Sequence, residues 1–262
     1  MSYETVLIQV GLADKPRKNR WPARLDLLQS ATGLFLALFM WLHMFFVASI
    51  LLGKGVFWAV ARFFEGYFIF GKAYPWLVSC VVGFVALVFV AHALLAVRKF
   101  PINYQQWRTI RAHTKVMRHE DSTFWVWQVG TGFLLFFLAS AHLYQMFVWP
   151  QDIGPYASSD RVWSDVLWPY YIVMLLTVEL HACIGLYRLA VKWGWPNASR
   201  EALRKVKWGL TVFFLVLGVA SLLAYMKIGY EHREYRVHVG EQYKPAWVVE
   251  KEGGAHHQGD GQ

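Results

Sequence analysis

Five long runs of apolar residues alternate with shorter polar segments along the chain. The runs cover residues 27–52, 76–97, 124–148, 167–191 and 208–226. Each run approaches the roughly 20 apolar residues that a helix needs to cross a bilayer. The pattern predicts an all-α membrane protein with five transmembrane helices, the first four of which form a bundle.

The segment from 56 to 74 interrupts this regular pattern. It is rich in aromatic residues, but Arg62 and Glu65 lie among them. A sixth span here would invert every later loop and place two clusters of basic residues outside the cell. We therefore predict an amphipathic segment that lies at the membrane interface.

The composition agrees with a membrane protein, since 56% of the 262 residues are hydrophobic and only 16% are charged. Lys and Arg cluster before the first run, after the second and around the end of the fourth. The positive-inside rule then predicts a cytoplasmic N-terminus. This topology accounts for the net charge of +9 without a nucleic-acid partner. Cys80 and Cys183 lie inside apolar runs, which argues against a disulfide framework.

The chain divides into three predicted parts. Residues 1–26 form a cytoplasmic segment without a cleavable signal peptide. Residues 27–228 form the transmembrane domain. Residues 229–262 form an extracytoplasmic polar tail that is partly disordered.

Each of the first four apolar runs contains one histidine near its interior: His43, His92, His142 and His181. Imidazole is costly to place in hydrocarbon, so buried ionisable groups in spans usually serve a function. The helical rise places the first and third histidines roughly 14 Å and 10 Å from the outer helix ends. It places the second and fourth roughly 8 Å and 14 Å from the inner ends. The alternative for any single residue is a hydrogen-bonded core histidine.

The matching depths sort the four histidines into an outer pair and an inner pair. A low-spin haem takes two axial ligands on opposite faces, and facing helices of a bundle can supply one each. We therefore predict that His43 and His142 hold one haem b and that His92 and His181 hold the other. Four histidines at two depths do not converge on one tetrahedral zinc ion. The predicted irons lie about 10 Å apart along the membrane normal.

Haem propionates are anionic and need donors at the membrane interface. Four candidates lie at the inner ends of the runs: Gln29, Ser30, Trp125 and Lys192. Arg161 is the single basic residue of its outer loop and the candidate for the outer haem. The alternatives are ordinary interfacial anchors and, for Arg161, an arginine that snorkels to the membrane surface.

Two carboxylates are candidates for proton transfer. Glu65 has aromatic neighbours, so burial would raise its pKa and let it accept a proton from a hydroquinone. The alternative is an ion pair with Arg62 in a solvated loop. Glu179 lies in the middle of the fourth run, two residues before His181 but on a different helix face, and is a relay candidate. The alternative is a protonated carboxyl bonded to a neighbouring helix.

Together these features resemble the dihaem cytochrome b membrane-anchor subunit of quinol:fumarate reductases, within the succinate:quinone oxidoreductase superfamily. The similarity is to the epsilon-proteobacterial type and covers about residues 27–226. It rests on one histidine in each of the first four spans and on four short strings. These are Gln29-Ser30, Phe64-Glu65, Ser140-Ala141-His142 and Glu179-Leu180-His181.

The resemblance implies a role for each candidate residue. His92 and His181 would ligate the proximal haem, and His43 and His142 the distal haem. Glu65 would take the proton from menaquinol, and Glu179 would belong to a transmembrane proton route that uses a distal propionate near Arg161. The residues that would contact the proximal propionates are Gln29, Ser30, Trp125 and Lys192.

The implied activity is menaquinol oxidation in a bacterial inner membrane. Electrons would pass through two haem b groups to cytoplasmic iron-sulfur and flavoprotein subunits that reduce fumarate to succinate, and the implied assembly is a dimer of heterotrimers. The chain has no dinucleotide-binding fingerprint and no cysteine cluster, so the dicarboxylate chemistry would lie in those partners. The alternatives are succinate:menaquinone reduction, the anchor of a hydrogenase or formate dehydrogenase, and a haem-free proton-coupled transporter.

Overall fold

The computed structural model describes residues 19–101, 103–117, 120–194, 196–235 and 240–250. Within these ranges the secondary structure is helical, with turns and no strand. The α-helices are α1 (Trp21–Ala48), α2 (Lys54–Phe64), α3 (Tyr67–Phe70), α4 (Trp76–Val97), α5 (Tyr104–Met117), α6 (Glu120–Val148), α7 (Pro155–Trp163), α8 (Trp168–Trp193) and α9 (Arg200–His232).

Five of the described helical segments are long and apolar enough to cross a membrane. They are Trp21–Leu52, Trp76–Val97, Ser122–Val148, Trp168–Trp193 and Arg200–His232. This confirms the predicted all-α membrane protein with five spans. Several helices extend beyond the apolar runs because their polar ends continue past the hydrocarbon. At the start of α9, for example, the Ser199 hydroxyl accepts a hydrogen bond from the Ala202 N–H at 3.2 Å.

The first four long helices form a closed ring. Helix α1 packs against α4, α4 against α6, α6 against α8, and α8 again against α1. Helix α9 lies outside this ring, against α8 and α1. A Cβ atom at Gly218 of α9 would lie 2.5 Å from Leu175 and 2.9 Å from Met44, so glycine permits this close approach. The ring confirms the predicted bundle of the first four spans.

The aromatic segment after α1 forms two short helices, α2 and α3, which lie outside the five candidate spans. Helix α2 buries Phe57 and Trp58 and exposes Phe63; the predicted position of the segment at the membrane interface stays a prediction. The chain turns at Gly66, whose φ of 76° is in the left-handed region. A Cβ atom there would also lie 2.7 Å from the Phe70 ring.

Part of the C-terminal tail is folded against the bundle. We call residues 240–250 the C-terminal strap; residues 246–250 of it are helical. The Trp247 ring lies 5.5 Å from the Trp58 ring, and Val248 is buried. The predicted disorder of the tail concerns residues 229–262, of which 236–239 and 251–262 lie outside the described residues. The predicted N-terminal segment lies largely outside them too.

Candidate cofactor cavity and buried carboxylates

A cavity of about 1200 Å³ lies inside the ring formed by α1, α4, α6 and α8. Pockets for one small ligand usually measure roughly 300–1,000 Å³. All nine residues predicted to bind the cofactors line this cavity: Gln29, Ser30, His43, His92, Trp125, His142, Arg161, His181 and Lys192. The structure therefore brings together residues from α1, α4, α6, α8 and the short helix α7 around one apolar space.

His43 and His142 face each other at the end of the bundle that carries α7. Their ring centroids are 6.0 Å apart, and the ring planes are inclined at 79°. Metal–imidazole bonds are about 2 Å long, so two imidazoles on opposite sides of one metal ion have centroids roughly 6 Å apart. Nδ1 of His142 is buried without a hydrogen-bond partner. This imidazole is therefore not an ordinary hydrogen-bonded core histidine.

His92 and His181 lie nearer the other end of the bundle, which carries α5. Nδ1 of His92 is 3.1 Å from the Thr32 hydroxyl of α1. Nδ1 of His181 is 3.1 Å from the Gln128 carbonyl and 3.3 Å from the Thr131 hydroxyl of α6. Contacts that hold one imidazole nitrogen and leave the other free are typical of metal-ligating histidines.

A glycine follows each of these threonines and faces the same ring. A Cβ atom at Gly33 would lie 2.8 Å from Cε1 of His92, and one at Gly132 would lie 2.8 Å from Cε1 of His181. Sequence reasoning missed these four residues, although the Thr-Gly dipeptide in both apolar runs was a signal that could have revealed them. The matched contacts give the two histidines equivalent environments on opposite sides of the ring.

Among the described residues, no cluster of three or more His, Cys, Asp or Glu side chains is arranged to bind a metal ion. Pairs of facing histidines suit a haem, which supplies four of the six iron ligands itself. The residues present therefore fit two haem groups, one for each pair.

Arg161 of α7 lines the cavity near His142 and is only 8% exposed. Its Nη2 donates a hydrogen bond of 2.6 Å to the Asp152 carbonyl. Among the described residues, no carboxylate lies within ion-pair distance of it. A buried guanidinium without a counter-ion is costly, so an anionic group such as a propionate would stabilise it. A side chain that is 8% exposed and part of the cavity wall differs from the water-exposed head group of a snorkelling arginine.

The α5 end of the cavity is positively charged. Asp26 lies 3.3 Å from Nζ of Lys192, 3.0 Å from Nζ of Lys99 and 2.5 Å from Nη2 of Arg98. One carboxylate therefore faces three cations, which leaves an excess of positive charge beside the cavity. Lys99 also lines the cavity. Sequence reasoning did not single it out, although it ends its apolar run as Lys192 ends another.

The three uncharged candidates at this end differ in their hydrogen bonds. The Ser30 hydroxyl accepts a hydrogen bond from the Trp193 indole at 3.0 Å. Oε1 of Gln29 is buried and has no hydrogen-bond partner. Trp125 lines the cavity without a described hydrogen bond of its indole. The Ser30 hydroxyl itself donates to the Asp26 carbonyl at 2.9 Å. The lysines, the Gln29 amide nitrogen and the Trp125 indole therefore remain as donors for anionic substituents of a cofactor.

Glu65 lies directly after α2, next to Phe64 of the cavity wall. Its side chain is completely buried, and Oε2 lies 2.5 Å from Nη1 of Arg62. Burial raises the pKa of Glu65 to about 7, against the attraction of Arg62, and the negative charge of Glu241 adds to this increase. The ion pair that the sequence offered as an alternative is present, but it lies in a buried place and not in a solvated loop.

Glu179 of α8 is also completely buried. It does not line the cavity, whereas His181 does, as expected for residues about 200° apart on a helix. The Trp41 indole lies beside the carboxyl, although Oε1 of Glu179 and the indole nitrogen form no hydrogen bond of good geometry. Oε2 is 3.9 Å from the Cys183 sulfur, which donates to it. An incompletely bonded carboxyl at this depth is suited to exchange a proton.

Comparisons with known proteins agree with this geometry. A profile of the family described as succinate dehydrogenase/fumarate reductase transmembrane subunit matches residues 105–222. The fumarate reductase cytochrome b subunit of Wolinella succinogenes is 50% identical over 240 residues, which are 89% of this chain and 94% of that protein. The subunit of the same name from Helicobacter pylori strain 26695 is 50% identical over 225 residues, 86% of this chain and 88% of that protein.

A five-helix membrane bundle with this profile and these relatives defines the class of protein. The chain belongs to the succinate dehydrogenase/fumarate reductase transmembrane subunit family. Within that family its relatives are fumarate reductase cytochrome b subunits of epsilon-proteobacteria, which confirms the resemblance found in the sequence. The chain is thus a membrane anchor of fumarate reductase, a multi-pass membrane protein that works with catalytic subunits. Its family implies haem binding.

Proposed function

We propose that this chain oxidises menaquinol at the α7 end of the bundle and conducts the electrons across the membrane through two haem b groups. The observation that carries this proposal is the facing pair His43 and His142, together with His92 and His181, which line the same cavity from α4 and α8. His43 and His142 would hold one iron and His92 and His181 the other. Bound in this way, the haems would supply one-electron carriers at two depths within the bilayer.

The α7 end is the outer end in this proposal. The basic residues at the start of α1 and the ends of α4 and α8 share the opposite end, which the positive-inside rule assigns to the cytoplasm. There the bundle would dock an iron-sulfur subunit and a flavoprotein that reduce fumarate, in a dimer of heterotrimers in the bacterial inner membrane. Gln29, Ser30, Trp125, Lys192 and Arg161 would orient the haems through their propionates.

Glu65 is the proposed proton acceptor of the menaquinol site. Oxidation of a hydroquinone releases two electrons and two protons, so a base is needed beside the electron acceptor. A pKa of about 7 makes the Glu65 carboxyl a base near physiological pH. Phe64 and Tyr67 are its near neighbours in the chain, and the side chain of Glu65 is completely buried from water.

Glu179 is the proposed proton carrier within the membrane. Its carboxyl lies outside the cavity wall, beside Trp41 and Cys183, so it would move protons next to the cofactor and not through His181. In this position it would hold a proton and pass it on toward the inner side, beside the residues that would hold the haems.

The names of the relatives favour fumarate reduction over the anchor of a hydrogenase or formate dehydrogenase. They also disfavour the haem-free transporter, since those relatives are cytochrome b subunits. Succinate oxidation coupled to menaquinone reduction uses the same path in reverse and stays an alternative.

The test is a reduced-minus-oxidised spectrum of the purified complex with quantification of haem per polypeptide. We expect two haem b groups for each copy of this chain and oxidation of both by fumarate. A single haem, or haem that fumarate does not oxidise, would contradict the proposal.

A further inference from the structure

The C-terminal strap places a second carboxylate beside the pair formed by Arg62 and Glu65. Oε2 of Glu241 accepts hydrogen bonds from the backbone N–H groups of Tyr156 at 3.1 Å and Ala157 at 3.0 Å. Oε1 accepts one from the Tyr243 N–H at 2.7 Å. Glu241 therefore caps the first turn of α7 with a group that comes from the end of the chain.

Arg62 connects this cap to Glu65. Its Nη1 contacts the Glu65 carboxylate, and its Nη2 donates a hydrogen bond of 3.2 Å to the Ile153 carbonyl, just before α7 begins. The guanidinium is thus fixed between the buried Glu65 and the segment that Glu241 holds. Arg62 attracts both carboxylates, and the two carboxylates repel each other.

The strap is seated firmly at this place. The Tyr243 ring lies 5.4 Å from the Tyr156 ring, and Nζ of Lys54 lies over both rings, at 5.7 Å and 5.1 Å. Gly154, immediately before α7, leaves room for Glu241, because a Cβ atom there would overlap the carboxyl. The glycine, the aromatic pair and the lysine together fix the Glu241 side chain against α7.

We propose that Glu241 is a positioning residue for proton uptake by Glu65. Glu241 holds the first turn of α7, next to the segment that binds Arg62, and it also attracts the positive charge of Arg62. The inference rests on the proposed role of Glu65. A carboxylate paired with arginine alone would be too weak a base to take a proton from a hydroquinone near neutral pH. A second negative charge beside the same arginine increases the affinity of the Glu65 carboxylate for a proton.

The charges that bear on Glu65 come from two elements, Arg62 of α2 and Glu241 of the strap. Burial raises the pKa of Glu241 as well, whereas its three backbone N–H donors and Arg62 oppose that increase. Those donors favour the ionised form, so Glu241 can act on Glu65 as a fixed negative charge.

The test measures menaquinol oxidation against pH in the purified complex, with rates normalised to haem content, for Glu241→Gln. Removal of the negative charge should lower the pKa of Glu65, so the rise of activity with pH should move to lower pH by roughly half to one unit. Glu250→Gln, an exposed carboxylate of the same strap, is the matched control and should leave the profile unchanged. Fumarate reduction by an artificial donor should be the same in all variants.

Glu65→Gln, measured in parallel, separates the two levels of the proposal. If Glu65→Gln is inactive with menaquinol but Glu241→Gln keeps the wild-type pH profile, the positioning role is wrong and the role of Glu65 stands. If Glu65→Gln is active with menaquinol, both the role of Glu65 as proton acceptor and the positioning role of Glu241 are wrong. Normalisation to haem keeps the comparison valid even if Glu241→Gln assembles in lower yield.

Discussion

Arg62 and Glu65 form an ion pair of 2.5 Å in which the carboxylate is completely buried and the arginine almost so. Burial and attraction act in opposite directions on the proton affinity of the acid, and burial is the larger effect. The resulting pKa of about 7 allows the carboxyl to take up and release a proton under physiological conditions. A surface ion pair would have kept it ionised.

This relationship predicts the pH dependence of the complex. Menaquinol oxidation should require the Glu65 carboxylate, so activity should rise as the pH increases through about 7, the raised pKa of Glu65 in the folded protein. Glu65→Gln should retain both haems but lose about 100-fold or more in menaquinol oxidation. Reduction of fumarate by an artificial donor, which bypasses this chain, should be unchanged. Near-normal quinol activity in this variant would assign Glu65 a structural role.

Arg62→Gln should move the same profile in the opposite direction to Glu241→Gln. Without the guanidinium the pKa of Glu65 should increase, so the rise in activity should shift to higher pH by roughly one unit. Lys72→Gln removes an exposed positive charge of the same connection and is the control. A shift of equal size in both variants would indicate a general change of surface charge.

The histidine pairs predict which variants share a phenotype. His43→Ala and His142→Ala should lose the same redox component, because each removes one of two axial ligands of one iron. His92→Ala and His181→Ala should lose the other. A redox titration of the remaining haem measures this directly. Loss of one component in both His43→Ala and His92→Ala would contradict the pairing.

Gly132 predicts a more selective effect on the inner pair. In Gly132→Ala the added methyl group would lie 2.8 Å from the His181 ring, and such overpacking costs about 1–3 kcal/mol. We expect partial loss of the haem held by His92 and His181, seen as a haem content below two per chain. Gly130→Ala in the same helix is the control, because nothing lies within 4 Å of a Cβ there. Equal haem loss in both would point to a general weakening of α6.

Glu179→Gln tests the proton route. The amide cannot take up and release a proton, so both haems should remain while menaquinol oxidation coupled to fumarate reduction stops. Glu179→Asp keeps the carboxyl with a shorter reach and should retain part of the activity. Full turnover of Glu179→Gln would leave the residue a structural role beside Trp41 and Cys183.

Much of this site was predictable because its main signals are local. A helix that crosses a bilayer needs a continuous apolar run, and a polar side chain in such a run is conspicuous, so four histidines and Glu179 stood out. The helical rise and the orientation of successive spans then sorted the histidines into two depths. In the structure His43 faces His142 in the cavity, and the assignment of both pairs as haem ligands stays a prediction.

The contacts around these residues were not predictable in the same way. In the sequence, Thr32 and Gly33 do not differ from other small residues of an apolar helix. Their contact with His92 results from the packing of α4 against α1. The tail was expected to be partly disordered, yet the C-terminal strap packs against α2 and α7 through Trp58, Tyr156 and Trp247.

The sequence by itself determined the five spans, their order and the depths of the buried histidines, because these follow from the hydrophobic period and the thickness of a bilayer. Only the tertiary structure decided what surrounds them. Glu241 and Tyr156 are 85 residues apart in the chain, and their contact depends on how α7 and α9 pack. Whether Glu65 is a base or a permanent anion depends on that packing, since burial and neighbouring charge determine its pKa.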